Sequence, residues 1–172
     1  MPSPNCDARP DPGDITLIII HGISLPPGEY GGPWVDALFT NQLDTAAHPY
    51  FADMAGLRVS SRLLIRRDGD VVQYVPFTER AWHAGDSCHE GRTACNDFSI
   101  GIELEGTDDT EFEDVQYRML TDLTQAILYA YPAITCERIL GHADIAPGRK
   151  TDPGPHFDWQ RYLAACRAGI AV

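Results

Sequence analysis

Between Gly141 and Pro155 the chain reads G-H-A-D-I-A-P-G-R-K-T-D-P-G-P, which sets His142, Asp144, Arg149, Lys150 and Asp152 among Pro147, Gly148, Pro153, Gly154 and Pro155. Breakers at this density predict a loop, with neither a helix nor an interior strand. A loop this rich in ligand-type side chains commonly carries function. The chemistry it suggests is metal binding. A catalytic zinc takes three protein ligands, usually nitrogen or oxygen donors, and leaves its fourth tetrahedral position open. His142 and Asp152 lie on either side of the Pro147 turn and can converge on one ion, Lys150 can face whatever that ion binds, and His21 is the candidate third ligand. The competing reading makes each histidine an ordinary hydrogen-bonded polar residue and Lys150 an exposed loop lysine. Asp144 fits a turn residue, or one that orients a ligand, better than a ligand. The H-E-x-x-H and H-x-E with P-C-x-x-C patterns are absent, which removes two common zinc hydrolase classes.

These residues need a scaffold. The run I-T-L-I-I-I from Ile15 to Ile20 predicts a strand buried on both faces, delivering His21 to the point where a rigid strand meets its loop. A turn-rich loop then leads into a short helix from about Pro33, with Trp34, Leu38 and Phe39 inward. Residues 40–57 are weakly patterned and predict only short helical or irregular structure. Asp68-Gly69 joins residues 58–67 to residues 70–75 as a hairpin. A long loop from Pro76 to Asn96 holds Arg80, Trp82, His83, His89 and Arg92; its length suggests function.

In F-S-I-G-I-E-L-E, alternation turns Phe98, Ile100, Ile102 and Leu104 to a core and Glu103 and Glu105 to a solvated opposite face. Residues 113–131 predict the long helix, its buried stripe running through Val115, Met119, Leu120, Leu123, Ile127 and Ala130, and Pro132 ending it. Ile139 and Leu140 form a brief strand before His142, and residues 158–166 a closing helix.

A length of 172 residues with 44% hydrophobic residues predicts one domain over 1–172, led in by an extended arm over 1–14 that buries little. No segment reaches the roughly 18 to 20 apolar residues of a membrane span. The first residues have neither a basic start nor an apolar core, so the expected location is cytoplasmic. Five scattered cysteines without a C-x-x-C pair predict free thiols. Thirteen basic residues against 25 acidic ones give a net charge of -12, which argues against nucleic acid as a partner.

Five ordered blocks then carry a resemblance: H-G-I-S-L-P-P-G with G-G-P-W; L-I-R-R-D-G-D-V-V-Q-Y-V-P-F; R-A-W-H-A-G; C-N-D-F-S-I-G-I-E-L-E-G-T-D; and the Gly141 to Pro155 stretch. Over residues 15–162 the chain resembles the zinc-dependent N-acetylmuramoyl-L-alanine amidases of the AmpD type. It is more distantly similar to phage amidases and animal peptidoglycan recognition proteins, whose third ligand is commonly a cysteine where this chain has Asp152. The resemblance implies an α/β (α+β) fold, a mixed central β-sheet flanked by helices, with the metal site at one edge of the sheet. It implies one Zn²⁺ per chain held by His21, His142 and Asp152, Glu103 as general base toward the attacking water, and Lys150 as stabiliser of the oxyanion. From the residues alone Glu103 and Glu105 are equals; the resemblance prefers Glu103.

The substrate implied is an anhydro-muropeptide, a small molecule met during cell-wall recycling, whose removal can lower the signal that induces β-lactamase. Arg58, Arg80 and Arg92 are candidates for its stem-peptide carboxylates and Trp82 for packing on the sugar or peptide; Arg58 and Trp82 are preferred. No membrane partner is expected, and a monomer is the default. The sequence departs from the family at Gly22, where Asn is common, and at Thr93-Ala94, where a basic residue is common. The rival reading is a peptidoglycan-binding module without catalysis, against which stands the complete set of ligand positions. His48, His89 and His156 fall outside the matching positions and are expected at the surface.

Overall fold

The computed structural model describes residues 1–170. In chain order the elements are β1 (Cys6–Ala8), β2 (Leu17–Ile23), α1 (Trp34–Phe39), β3 (Leu63–Ile65), β4 (Val71–Gln73), β5 (Glu79–Ala81), β6 (Cys88–His89) and β7 (Arg92–Thr93). They continue as β8 (Ser99–Glu105), α2 (Asp114–Ala130), β9 (Ile139–Gly141), α3 (His142–Ile145) and α4 (Trp159–Ile170), with single 3₁₀ turns at Pro49–Met54, Cys95–Asp97 and Cys136–Arg138.

The β-branched run that predicted a doubly buried strand becomes β2, at the heart of a five-stranded sheet ordered β4-β3-β8-β2-β9. β2 runs parallel to β8 and β9, and β3 runs parallel to β8, while β4 returns antiparallel to β3 across the Asp68-Gly69 turn, where Gly69 takes φ +87. The sheet is therefore mixed and flanked by helices, as expected. In register, His21 lies beside Glu103 and Ile20 beside Gly141. Three of the four parallel strands, β2, β8 and β9, deliver site residues toward their carboxyl ends, where open α/β sheets place ligands.

Side-chain alternation divides the core. Ile18, Ile20, Ile100, Ile102 and Leu104 pack beneath Leu120 and Ile127 of α2 and Tyr162 and Cys166 of α4. Leu17 and Ile19 face the other way, against Ala84, Cys95, Phe98 and Ile145. On that second side α1 packs further along, with Val35, Leu38 and Phe39 closing over Leu64 and Tyr74.

Several expectations need correction. The face of β8 bearing Glu103 and Glu105 is not solvated: every residue of the strand is buried, with His83 against Gly101 and the Gly31 and Arg67 backbone on Glu105. Phe98 precedes the strand and packs with Leu17 and Ile19 rather than with Ile100. On α2 the buried stripe is Gln116, Tyr117, Leu120, Thr124, Ile127 and Leu128, rotated from the apolar reading because Thr124 bonds the Tyr162 hydroxyl and Gln116 reaches the carbonyls of Ile65 and Glu105. The long loop of residues 76–96 holds three short strands. One helical turn, α3, forms before Pro147, nucleated by the Asp144 carboxylate accepting from the Gly141 N–H.

The arm is also more than a lead-in. β1 pairs antiparallel with β5, and Ser3, Asn5 and Arg9 are buried. Polar side chains tolerate this because each finds partners. Asn5 Nδ2 donates to the Val59 carbonyl at 2.7 Å, and the Arg9 guanidinium donates to the carbonyls of Asp97 at 2.6 Å and Ser99 at 2.7 Å. All five cysteines are free. Among the described residues no helix is long and apolar enough to cross a membrane.

Candidate active site

His21, near the end of β2, and His142, immediately after β9, are brought together because their strands are hydrogen-bonded neighbours. Asp152 joins them from the loop, held by a backbone bond from Ala143 N–H to its carbonyl at 3.0 Å. The Nδ1 atoms of the two histidines stand 2.9 Å apart, and each lies 3.1 Å from Asp152 Oδ2. Both imidazoles are buried and the carboxylate is half-buried.

These donors fit a metal ion. Two imidazole nitrogens and a carboxylate oxygen form a triangle close to the face of a tetrahedron, whose edge is about 3.3 Å for a zinc ion with bonds of 2.0–2.1 Å. The histidine orientations agree: His142 Nε2–H points to the Ala84 carbonyl at 3.1 Å, leaving Nδ1 unprotonated toward Asp152 and His21. Burial pushes the His21 imidazole down to about 4, against the opposing effect of the neighbouring Asp152 carboxylate. Burial acts to raise the Asp152 carboxyl, but the adjoining His142 and His21 imidazoles outweigh it and hold the group below the usual carboxylate range. A neutral His21 beside an ionised Asp152 is the protonation state a cation requires.

Glu103 sits on β8 beside His21, 7% exposed, and no hydrogen bond to its carboxylate is seen among the described residues. Burial and then the negative charge of Asp152 push its carboxyl well above the ordinary value, while Lys150 opposes them. Glu105, two residues on, is fully engaged: one oxygen accepts from Gly31 N–H at 2.6 Å and the other from Arg67 N–H at 3.1 Å. The two carboxylates that alternation made equal are thus separated: Glu105 ties a loop to a strand, and Glu103 is free to exchange a proton.

The three donors, Glu103 and the exposed Lys150 line one cleft of about 640 Å³, with Arg58 and Trp82 on its walls. Arg58 is exposed there. Trp82 is half-buried, its Nε1–H donating to Asp7 of the arm at 3.1 Å. Arg80 and Arg92 are outside the cleft. Arg80 is clamped between Asp7 and Asp97, and Arg92 pairs with Asp14 while lying over the Phe98 ring. Neither is placed to receive a substrate carboxylate. Of the remaining histidines, His48 caps the Pro49–Met54 turn, His89 lies 3.7 Å from Glu90, and His156 is exposed.

Three residues of the site escaped the sequence reading. His83 Nδ1 lies 2.9 Å from His21 Nε2. Arg149 donates to the carbonyls of Ala84 and Asp86, bracing the loop under His142. Asn96 Oδ1 accepts from both His83 N–H at 3.0 Å and Ala84 N–H at 2.8 Å. Their only signal was membership of the R-A-W-H-A-G, C-N-D and Gly141 to Pro155 blocks, none of which gave them a role. Replacing Asn96 by alanine strands two backbone donors, each costing about 1–3 kcal/mol. We expect thermal denaturation to show a lowered Tm, with zinc affinity reduced alongside it, because the same backbone holds the Ala84 carbonyl.

Residues 11–155 match the family described as N-acetylmuramoyl-L-alanine amidase. The chain is 61% identical to the 1,6-anhydro-N-acetylmuramyl-L-alanine amidase AmpD of Enterobacter cloacae, over 95% of this chain and 87% of that protein. It superimposes on a crystal structure of a selenomethionine AmpD derivative with a TM-score of 0.93, at 60% identity, covering 96% of this chain and 92% of that one. A second structure, the amidase AmiD from E. coli in complex with anhydro-N-acetylmuramic acid-L-Ala-D-gamma-Glu-L-Lys, gives a TM-score of 0.64 at 34% identity, covering 88% of this chain and 57% of that one.

Proposed function

The chain belongs to the N-acetylmuramoyl-L-alanine amidase family, and from that premise we propose a zinc-dependent hydrolysis of the amide between 1,6-anhydro-N-acetylmuramic acid and L-alanine in muropeptides. The observation that carries the proposal is the convergence of the His21, His142 and Asp152 donor atoms beside the unpaired, buried Glu103. The whole chain is taken as one amidase domain.

His21, His142 and Asp152 would hold the ion. When bound, zinc supplies Lewis acidity, polarising a carbonyl and acidifying water. The residues of the chain do the rest. Glu103, whose raised affinity for protons suits the task, takes a proton from the attacking water as its oxygen bonds to the lactyl carbonyl carbon. The exposed ammonium of Lys150 faces the negative charge that gathers on the former carbonyl oxygen. Glu103 then passes its proton to the alanine nitrogen as the C–N bond breaks, giving a lactyl carboxylate and a free amine. Arg58 is suited to a stem-peptide carboxylate and Trp82 to the apolar face of sugar or peptide.

The reading takes the enzyme as cytoplasmic, acting on imported wall fragments, with lowered β-lactamase induction as a proposed downstream effect. A binding module without catalysis would not need a competent base and a full donor set. Mass spectrometry of products from anhydro-muropeptide and from intact sacculi tests the reading. We expect the free anhydro-sugar and a peptide beginning with L-alanine from the former, and slow or no release from the latter. Unaltered muropeptide that stays bound would favour the binding module.

A further inference from the structure

We propose that His83 and Ser99 are positioning residues that hold His21 in the one tautomer able to offer Nδ1 to a metal. The inference rests on the reading of His21 as a ligand.

The hydrogen-bonded series runs from His21 Nε2 to His83 Nδ1 at 2.9 Å, from His83 Nε2 to Ser99 Oγ at 3.2 Å, and from Ser99 Oγ to the Cys95 carbonyl at 2.5 Å. Its direction follows from its far end. A backbone carbonyl can only accept, so the single Ser99 hydroxyl proton goes to Cys95. Ser99 Oγ must then accept from His83 Nε2–H. A neutral His83 with its proton on Nε2 has an unprotonated Nδ1, which accepts from His21 Nε2–H. The remaining nitrogen of His21, Nδ1, is left with a free lone pair aimed at His142 and Asp152. A carbonyl three bonds away thus sets the tautomer of the ligand.

The surroundings preserve this direction. His21, His83 and Ser99 are 2%, 8% and 0% exposed, which leaves little access for water to substitute for a missing partner. Asn96 fixes the His83 backbone from one side. From the other, Gly101 in the middle of β8 provides the space the ring occupies: a Cβ there would lie 2.5 Å from His83 Cγ and 2.6 Å from its Nδ1. Glycine weakens a strand interior, so its presence at a fully buried position marks a close approach, here of an imidazole. His142 solves the same problem in one step through the Ala84 carbonyl. Both series therefore end on carbonyls of the 76–96 segment.

An imidazole orients His21 without adding charge. The usual orienting carboxylate raises ligand basicity. Here it would add a third negative group to Asp152 and Glu103, and so reduce the Lewis acidity left for the substrate carbonyl.

The test compares wild type with His83→Leu, His83→Asn and Ser99→Ala. Zinc affinity is measured by competition with a chromogenic chelator, and the His21 tautomer by imidazole ¹⁵N shifts in the metal-free protein. We expect His21 as the Nε2–H tautomer in wild type and an affinity loss of about 10–100-fold in His83→Leu. Most of that loss should be recovered in His83→Asn, whose Oδ1 falls near the Nδ1 position and can accept the same proton. Ser99→Ala, which removes the anchor and little volume, should mix the His21 tautomers; should His83→Leu fail to fold, this variant carries the test. Wild-type His21 protonated on Nδ1 would overturn the inference. So would a folded His83→Leu, or a Ser99→Ala variant, whose tautomer and zinc affinity match wild type. A wild type that binds no zinc would instead count against the metal reading, while the ¹⁵N shifts still decide the direction of the series.

Discussion

Replacing His142 by alanine should remove both the metal and the activity. The variant keeps two of three donors, Nδ1 of His21 and Oδ2 of Asp152, and also leaves the Ala84 carbonyl without its imidazole partner. The two remaining donors, 3.1 Å apart, are too few to hold an ion tightly. We expect zinc content, measured by elemental analysis, to fall from about one per chain to near zero, and turnover to fall to background. Chelator treatment of the wild type should give the same loss, reversed by added zinc. Circular dichroism of the variant should stay native-like, because the apolar clusters on the two faces of the sheet do not include His142. Wild type that is free of metal and fully active would overturn the mechanism.

Glu103→Ala should separate chemistry from metal binding. The carboxylate is not among the three converging donors, so zinc should remain stoichiometric while kcat falls by about 10²–10⁴, the range for loss of a general acid–base group. Stability should move the other way. A carboxyl whose folded pKa is raised destabilises the fold as pH rises above its unfolded value of about 4.3, because the unfolded chain then ionises more readily. In the metal-free protein Glu103→Ala should therefore gain stability over wild type toward neutral pH and lose that advantage in acid. Glu105→Ala supplies the contrast. It strands the N–H groups of Gly31 and Arg67, at about 1–3 kcal/mol each, and should lower Tm while the folded fraction still turns over substrate. If Glu105→Ala lost turnover with zinc and stability intact, the base would be misassigned.

How far these features could be read from the sequence depends on the range of the interactions that make them. The β-branched run of β2 and the Asp68-Gly69 hairpin are local, and both were legible. The clustering of His142, Lys150 and Asp152 was visible as composition, though not the one helical turn that a single Asp144 side chain stabilises. Glu103 and Glu105 share a strand face, so periodicity could not tell them apart. The difference lies in two N–H groups, from Gly31 and Arg67, that only the folded chain brings to Glu105. The arm looked too polar to bury because the carbonyls that satisfy Asn5 and Arg9 belong to Val59, Asp97 and Ser99, far along the chain. His83 lay in a long loop with Arg80 and Arg92, with nothing periodic to mark it as the residue that meets His21. Arg80 and Arg92 are only candidates for substrate carboxylates in the sequence, because no local pattern marks Asp7, Asp97 and Asp14 as the groups that engage them.

The parallel placement of β2 between β8 and β9 also bears on how the molecule is made. Each of these pairings joins residues roughly 80 or more apart, with β9 drawn from residues 139–141. During synthesis β2 emerges early and waits for both neighbours, its apolar faces and unpaired edges open to other chains. Such non-local pairing is slow to form. A metal held as proposed could not hasten it, since His21 and His142, 121 residues apart, meet only once β9 has docked. The nascent chain is therefore most exposed to aggregation between the appearance of β2 and that of β9, and an ion bound as proposed would stabilise only the finished fold, by mass action.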